Sequence, residues 1–343
     1  MLAEMLALFL LLYSFGFLKK ISYIINMKDM NYINPVYKLS LRDPEQAPRK
    51  ISYSQWSMYE RCPMQWKLSY IDKLAPFRHG IEAIFGTAFH ETLQLFLTVM
   101  YTDSVKQADR LDFRGLLMSS MRNEYKRAVE ETGEHFSNPA EMAEYLEDGV
   151  AILEWFKKRR SGYFSTKDYE LVGIEIPLCH PATDKNPSVY WYGFIDLVIR
   201  HIPTNTIEIF DIKTSRMGWN KYQKADHIKS GQLVAYKNYF SKQFGVPVDK
   251  ITIEFFIVKR KLVEESMFPQ KRIQQHRPAS GSVTQKKVQK QIDAFIEHCF
   301  DSEGNKLADK PYPALAGKGA KNCKYCPFKE DYENCPKENR IRG

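Results

Sequence analysis

Apolar positions follow a helical period in the first half of the chain and a strand period in its middle. Between Gly86 and Tyr101 the residues Leu93, Phe96 and Leu97 return on one stripe, which predicts a helix. Ser52 to Tyr70 reads as an aromatic-rich helical stretch, and residues 103–160 as mostly helical. Within that span Asn138 is placed to cap a helix whose first turn holds Pro139. The pattern then changes to short runs rich in Val, Ile, Tyr and Phe: Tyr169 to Leu178, Val189 to Arg200 and Thr206 to Thr214. A helix from about Ala225 to Phe244, a strand from Ile251 to Val258 and a helix from Val283 to Phe300 follow. The tail from Pro311 reads as a loop with a cysteine cluster, and no internal repeat is visible. Helix, three strands, helix and strand in that order indicate an α/β (α+β) fold, a sheet with helices packed on it.

The beginning of the chain stands apart. Met5 to Leu18 is an uncharged apolar run ahead of Lys19 and Lys20, shorter than the ~20 residues that span a bilayer. It lacks the basic leader and small-residue cleavage site of a secretory signal. A short membrane-associated helix, a packed terminal helix and an upstream extension of a frame starting at Met27 or Met30 all fit; we favour the extension. Residues 31–50 carry three prolines and no period, so they read as an extended lead-in. The expected organisation is therefore an extension and lead-in over 1–50 and one domain over 51–343. No stable membrane partner and a cytoplasmic location are expected.

Composition adds little until charge is considered. The 343 residues are 44% hydrophobic and 27% charged, which is ordinary for a globular protein. Fifty Lys+Arg against 41 Asp+Glu leave +9, a balance that suits a polyanionic partner.

The sharpest chemistry lies between Trp191 and Ser215. HIPTNT (201–206) separates two β-rich runs and reads as a hairpin loop. With the hairpin centred between Pro203 and Thr204, Asp196 falls directly opposite Asp211, Cβ atoms ~5 Å apart on one face. Lys213 shares that face. Two aspartates set among Phe194, Ile195, Leu197, Ile209, Phe210 and Ile212 are costly to bury, and facing like charges add to the cost. A hard divalent cation such as Mg²⁺ or Mn²⁺ resolves the conflict, and Lys213 beside it can orient a water and offset charge on a phosphoryl transition state. A solvated strand face with an incidental Asp–Lys pair is the other reading of these residues.

Gly193-Phe-Ile-Asp196 followed by Asp211-Ile-Lys213 resembles the signature of the PD-(D/E)XK nuclease superfamily. Gly86-Thr-Ala-Phe-His90-Glu is similar to the helix motif of RecB-like nucleases, whose histidine is a metal ligand. Gln232-Leu-Val-Ala-Tyr236 matches the Q-x-x-x-Y helix motif, its two side chains sharing a face at i and i+4. Glu175 stands where the family often has a glutamate. These motifs come in the family's order. The resemblance implies a central mixed sheet flanked by helices, with a helical insertion over about 103–160. It also implies Mg²⁺ or Mn²⁺ held by His90, Asp196, Asp211 and the Ile212 carbonyl, Lys213 positioning the attacking water, and a 5′-phosphate product. Gln232, Tyr236 and Glu175 take supporting roles.

Cys323-Lys-Tyr-Cys326 and Cys335 form C-x₂-C-x₈-C, and Cys62 lies far upstream in Tyr59-Glu-Arg-Cys62-Pro63. Such thiolates suit zinc or an iron–sulfur cluster, and spacing alone does not separate the two. The arrangement resembles the four-cysteine [4Fe–4S] site of AddB-type and CRISPR-adaptation nucleases, which implies a cluster in a C-terminal segment over 311–343. Cys179 and Cys299 are expected simply to pack.

The function expected from these motifs is a metal-dependent deoxyribonuclease, more exonuclease than endonuclease, acting on DNA ends or single strands in recombination, repair or replication. A non-catalytic DNA-binding subunit with a vestigial site is the alternative. No G-x-x-x-x-G-K-[ST] loop occurs, so any helicase or recombination partner is a separate polypeptide. Trp219 and Tyr222 are candidates for stacking on single-stranded bases.

Overall fold

The computed structural model describes residues 31–75, 80–263 and 265–342. The apolar run Met5–Leu18 and the alternative starts at Met27 and Met30 lie outside these residues. Among the described residues no helix is long and apolar enough to cross a membrane.

A mixed sheet forms the centre, with helices on both faces. Strand β1 (Arg49–Ile51) leads into helices α1 (Tyr53–Arg61), α2 (Pro63–Tyr70) and α3 (Ile81–Thr102). Two long helices follow, α4 (Phe113–Thr132) and α5 (Pro139–Lys157). Strands β2 (Tyr169–Pro181), β3 (Val189–His201) and β4 (Thr206–Ser215) come next in an antiparallel run. Helix α6 (His227–Phe244) crosses over to β5 (Ile251–Lys259), parallel to β4, and the antiparallel β6 (Ile273–His276) closes that edge before α7 (Ser282–Cys299).

The burial pattern explains the layers. Trp56, Leu233, Val234, Tyr239, Phe240, Ile292 and Phe295 pack α1, α6 and α7 on one face of the sheet. Phe85, Phe89, Phe96, Leu117, Ile152 and Phe156 pack α3, α4 and α5 on the other. Asn138 caps α5 as expected, its side chain accepting from the Glu141 N–H.

The structure departs from the expected pattern in three places. The stretch 52–70 is two helices, because Cys62 is extended (φ −158°, ψ 102°) and Pro63 starts a new first turn. The lead-in is partly ordered: Pro35–Lys38 is a helical turn, and β1 pairs in parallel with the start of β3. Strand β6, the polar IQQH, was not expected at all. Both missed strands are too short to show a period, and their pairing partners are distant in sequence.

Gly231 on α6 is a position where packing leaves no room. A Cβ there would lie 2.4 Å from Cη2 of the buried Trp56, whose ring meets Trp191 edge to face at 6.3 Å. Gly231→Ala should therefore lower stability by about 1–3 kcal/mol through overpacking, although alanine is the better helix former. Gly162→Ala, where nothing lies within 4 Å of the added Cβ, is the control. Urea unfolding of both variants measures the difference; equal midpoints would remove the steric argument.

Candidate active site

The β3–β4 hairpin has the register expected from its loop. Leu197 pairs with Phe210 and His201 with Thr206, and one further step puts Asp196 across from Asp211. The strands part at that step. The Ile212 N–H leaves the ladder and donates to Asp196 Oδ2 at 2.7 Å. Strand β2 occupies one flank of β3 along most of its length. On the other flank β1 covers residues only up to Trp191, and β4 only from Leu197. Residues 192–196 thus have an open flank, and the carboxylates sit where it ends.

A second irregularity aims them. Glu175 falls opposite Asp196 in the β2–β3 register and has a left-handed backbone, φ +48°. Across it the alternation of faces breaks: Ile174 and Leu197 belong to the core under α3, whereas Ile176 and Ile195 belong to the core under α6. Non-glycine residues in this region cost on the order of 1–3 kcal/mol and persist only where surrounding contacts compensate. Here Gln94 on α3 supplies them, donating to Glu175 Oε1 at 2.6 Å and to the Asp196 carbonyl at 3.0 Å.

The charged groups are crowded and poorly hydrated. Asp211 is 1% exposed; its Oδ2 lies 2.6 Å from Lys213 Nζ, and its Oδ1 has no hydrogen-bond partner. Burial pushes Asp211 up to about 6 and Asp196 up to about 7, against the pull of Lys213 on both. Burial opposes the charge on Lys213, but Asp211 and Asp196 hold it above its usual value. His90, from α3, places Nδ1 3.8 Å from Asp196 Oδ2. Burial, reinforced by Lys213, pulls this imidazole down to about 4, so it is neutral. Gly86 lets the helix come this close, since a Cβ there would stand 3.3 Å from Thr214 Oγ1 on β4.

Of the supporting residues, Glu175 stands beside the carboxylates, and burial pushes it up, with Asp211 adding to the shift. Gln232 Nε2 donates to the Tyr236 hydroxyl at 3.1 Å. Burial raises that hydroxyl strongly, as do the charges of Asp211, Asp196 and Glu175. Gly193 on β3 lies beneath Tyr236, where an added Cβ would stand 3.6 Å from the hydroxyl. Gln94 was missed by the sequence reading. Its signal in the sequence is an amide one helical turn after His90, set among Leu93, Leu95, Phe96 and Leu97. Cations flank the site as well. Arg61 lies 3.5 Å from Asp226, the N-cap of α6, and Lys229 sits 4.8 Å over the Trp219 ring. Trp219 is packed on Phe255 at 4.8 Å, and both its backbone groups bond the Gln274 side chain, so it is a wall rather than a free stacking ring. Tyr222 stands exposed.

The cysteines fall into two kinds of surroundings. Cys179 and Cys299 are buried and unpaired. Cys62, Cys323, Cys326 and Cys335 all line one cavity, with Met64, Leu68, Leu315 and Phe328. The Leu315 N–H donates to Cys62 Sγ at 3.3 Å, and Asn322 ties the tail to the Arg61 carbonyl at 2.8 Å across 261 positions. Among the described residues no group of three or more His, Cys, Asp or Glu side chains is drawn together closely enough to hold a metal ion as it stands.

Comparison with family descriptions matches residues 50–330 to the PD-(D/E)XK nuclease superfamily. The chain belongs to this superfamily. No curated protein matches it. Membership implies a nuclease, and the mixed α/β sheet flanked by helices is the architecture of this superfamily. Its members generally use Mg²⁺ or Mn²⁺. The donor types at this site suit such an ion, two carboxylates, one with an unpartnered buried oxygen, and a neutral imidazole, although as they stand they are not drawn together closely enough to enclose it.

These shifts predict how the metal-free nuclease responds to pH. The folded Asp196 and Asp211 hold their protons more tightly than in the unfolded chain. Their contribution to stability is therefore fullest below about 4, the ordinary carboxylate value, and is lost as pH rises through 6 and 7. Mg²⁺ held by the ionised pair should reverse the loss. Thermal melts should show a larger Mg²⁺-induced rise at pH 8 than at pH 5.5, and D211N should abolish the difference. An equal response in D211N and the parent would count against the pair as the ion's seat.

Proposed function

We propose that this nuclease is a metal-dependent deoxyribonuclease of the RecB-like, iron–sulfur-containing type. It would hydrolyse phosphodiester bonds at DNA ends or in single strands, as an exonuclease. The observation that carries the proposal is the meeting of Asp196, Asp211, Lys213 and His90 at the open flank of β3. His90, Asp196, Asp211 and the Ile212 carbonyl would hold Mg²⁺ or Mn²⁺, which supplies Lewis-acid polarisation of the phosphoryl group and a more acidic water.

The remaining work falls to the chain's own groups. Lys213, charged because two carboxylates face it, orients the attacking water and offsets the charge that develops on the phosphoryl oxygens. Gln94 and Glu175 hold the Asp196 backbone in its kinked position. Tyr236, braced by Gln232, closes the site from α6. Arg61 and Lys229 add positive charge for the backbone of the strand.

For the cysteines we propose a [4Fe–4S] cluster held by Cys62, Cys323, Cys326 and Cys335, with zinc as the alternative occupant. The support is their shared cavity and the backbone N–H on Cys62 Sγ, a contact of the kind that tunes cluster sulfurs. Such a cluster would close the long loop between Cys62 and the tail.

Asp211→Ala or Lys213→Ala should cut DNA cleavage by about 10²–10³-fold or more while leaving DNA affinity within a few-fold. Gel assays with Mn²⁺, and binding in Ca²⁺, read the two effects; full activity in either variant would refute the site.

Anaerobically purified protein should be brown with about four irons per chain. Cys62→Ser should lower the melting temperature as much as Cys326→Ser, and Cys179→Ser far less. A colourless protein with stoichiometric zinc would replace the cluster, and indifference to Cys62→Ser would refute the shared site.

A further inference from the structure

Helix α3 packs over β2, β3 and β4, reaching β3 at Leu197 and Ile199, and among the described residues the near half of β3 lies outside the core under that helix. On that half every second residue is aromatic: Tyr190, Tyr192 and Phe194, with Asp196 next in the series. The intervening residues Val189, Trp191 and Ile195 are buried under α6, and Gly193 faces Tyr236 there, so the aromatic row looks out on the opposite face. Tyr190 and Tyr192 are half-buried and Phe194 is 41% exposed. Tyr192 and Phe194 meet edge to face at 5.4 Å. Lys50, from β1, sits 5.6 Å over the Tyr192 ring and 3.2 Å from Glu45. Pro177 and Pro181 on β2 stand opposite Phe194 and Tyr190 in register, which extends the surface with small rigid apolar groups.

We propose that this row is a base-stacking platform for single-stranded DNA, leading the strand to Asp196. The proposal rests on the nuclease reading above and adds the path and strandedness of the substrate. Three observations favour this occupant. The row continues in alternation up to Asp196, the residue at which the faces switch. Alternate strand residues lie roughly 6.7 Å apart, so the rings follow one another along a line as the bases of an extended strand do. Aromatic faces beside cations are how proteins hold single strands without reading sequence, and the chain carries +9. Bases paired inside a duplex present no free face to such a row.

Fluorescence anisotropy with labelled oligothymidylate, with Ca²⁺ in place of Mg²⁺, tests the platform on the full chain. Three probes are compared: the oligothymidylate, an abasic strand of equal length and a blunt duplex. The parent should bind oligothymidylate about ten-fold or more tightly than the abasic strand. Y192A/F194A should lose that advantage while keeping its affinity for the abasic strand, and Y192F/F194Y should restore it. Equal affinity of the parent for the thymidylate and abasic strands would overturn the platform whatever the variants do. So would tighter binding of the duplex, or an unchanged Y192A/F194A. A parent that cleaves DNA but fails these comparisons loses the platform alone; a parent that neither binds nor cleaves DNA loses the nuclease reading.

Discussion

Two carboxylates facing each other where an apolar sheet opens set the terms for the rest of this molecule. Asp211 is almost wholly removed from water, and Asp196 faces it across the last step of the hairpin. Burial makes the charged form of each expensive, and a neighbouring carboxylate makes it more so, Asp196 beside Asp211 and Glu175 beside Asp196. Lys213 offsets part of that cost, as its 2.6 Å approach to Asp211 shows. The neighbouring Asp211 oxygen is left without a partner. A buried acceptor in that condition is one that a hard cation satisfies.

The surrounding fold keeps these groups in reach of one another. The left-handed Glu175 turns the β2–β3 ladder just where Asp196 must face the open flank, and Gln94 ties that turn to α3. The same helix carries His90 one turn earlier, so a single rigid element sets the histidine and the kink together. Gly86 and Gly231 do parallel work on the two faces: one admits α3 against β4, the other admits Trp56 against α6. On the second face, Arg61 connects the carboxylate site to the cysteine cavity. Its guanidinium meets the N-cap of α6, and its carbonyl is held by the tail beside Cys323.

Local and distant contacts differed in how legible they were. The placing of Asp196 across from Asp211 could be read because a tight loop sets the register of both strands up to Leu197 and Phe210. The helices α3, α5 and α6 could be read because each runs for 18 residues or more. Strands β1 and β6 could not, since three or four residues carry no period and their pairing depends on a sheet built elsewhere. Trp219 reads as a free aromatic in the sequence, and only Phe255 and Gln274, more than thirty positions downstream, turn it into packing.

The sequence by itself determined the chemistry on offer: the paired aspartates, the lysine two residues on, the histidine in its helix motif and four cysteines in two distant groups. These depend on residue type and short-range spacing, which the chain carries wherever it is placed. Only the tertiary structure decided which of these groups meet, and which neighbours they meet under. The open flank of β3, the inversion at Glu175, the Gln94 tether and the common cavity of Cys62 with the tail each join segments far apart in the chain. Their geometry follows from how two apolar layers close on one twisted sheet, a constraint that acts on the whole chain and leaves no mark on any short stretch of it.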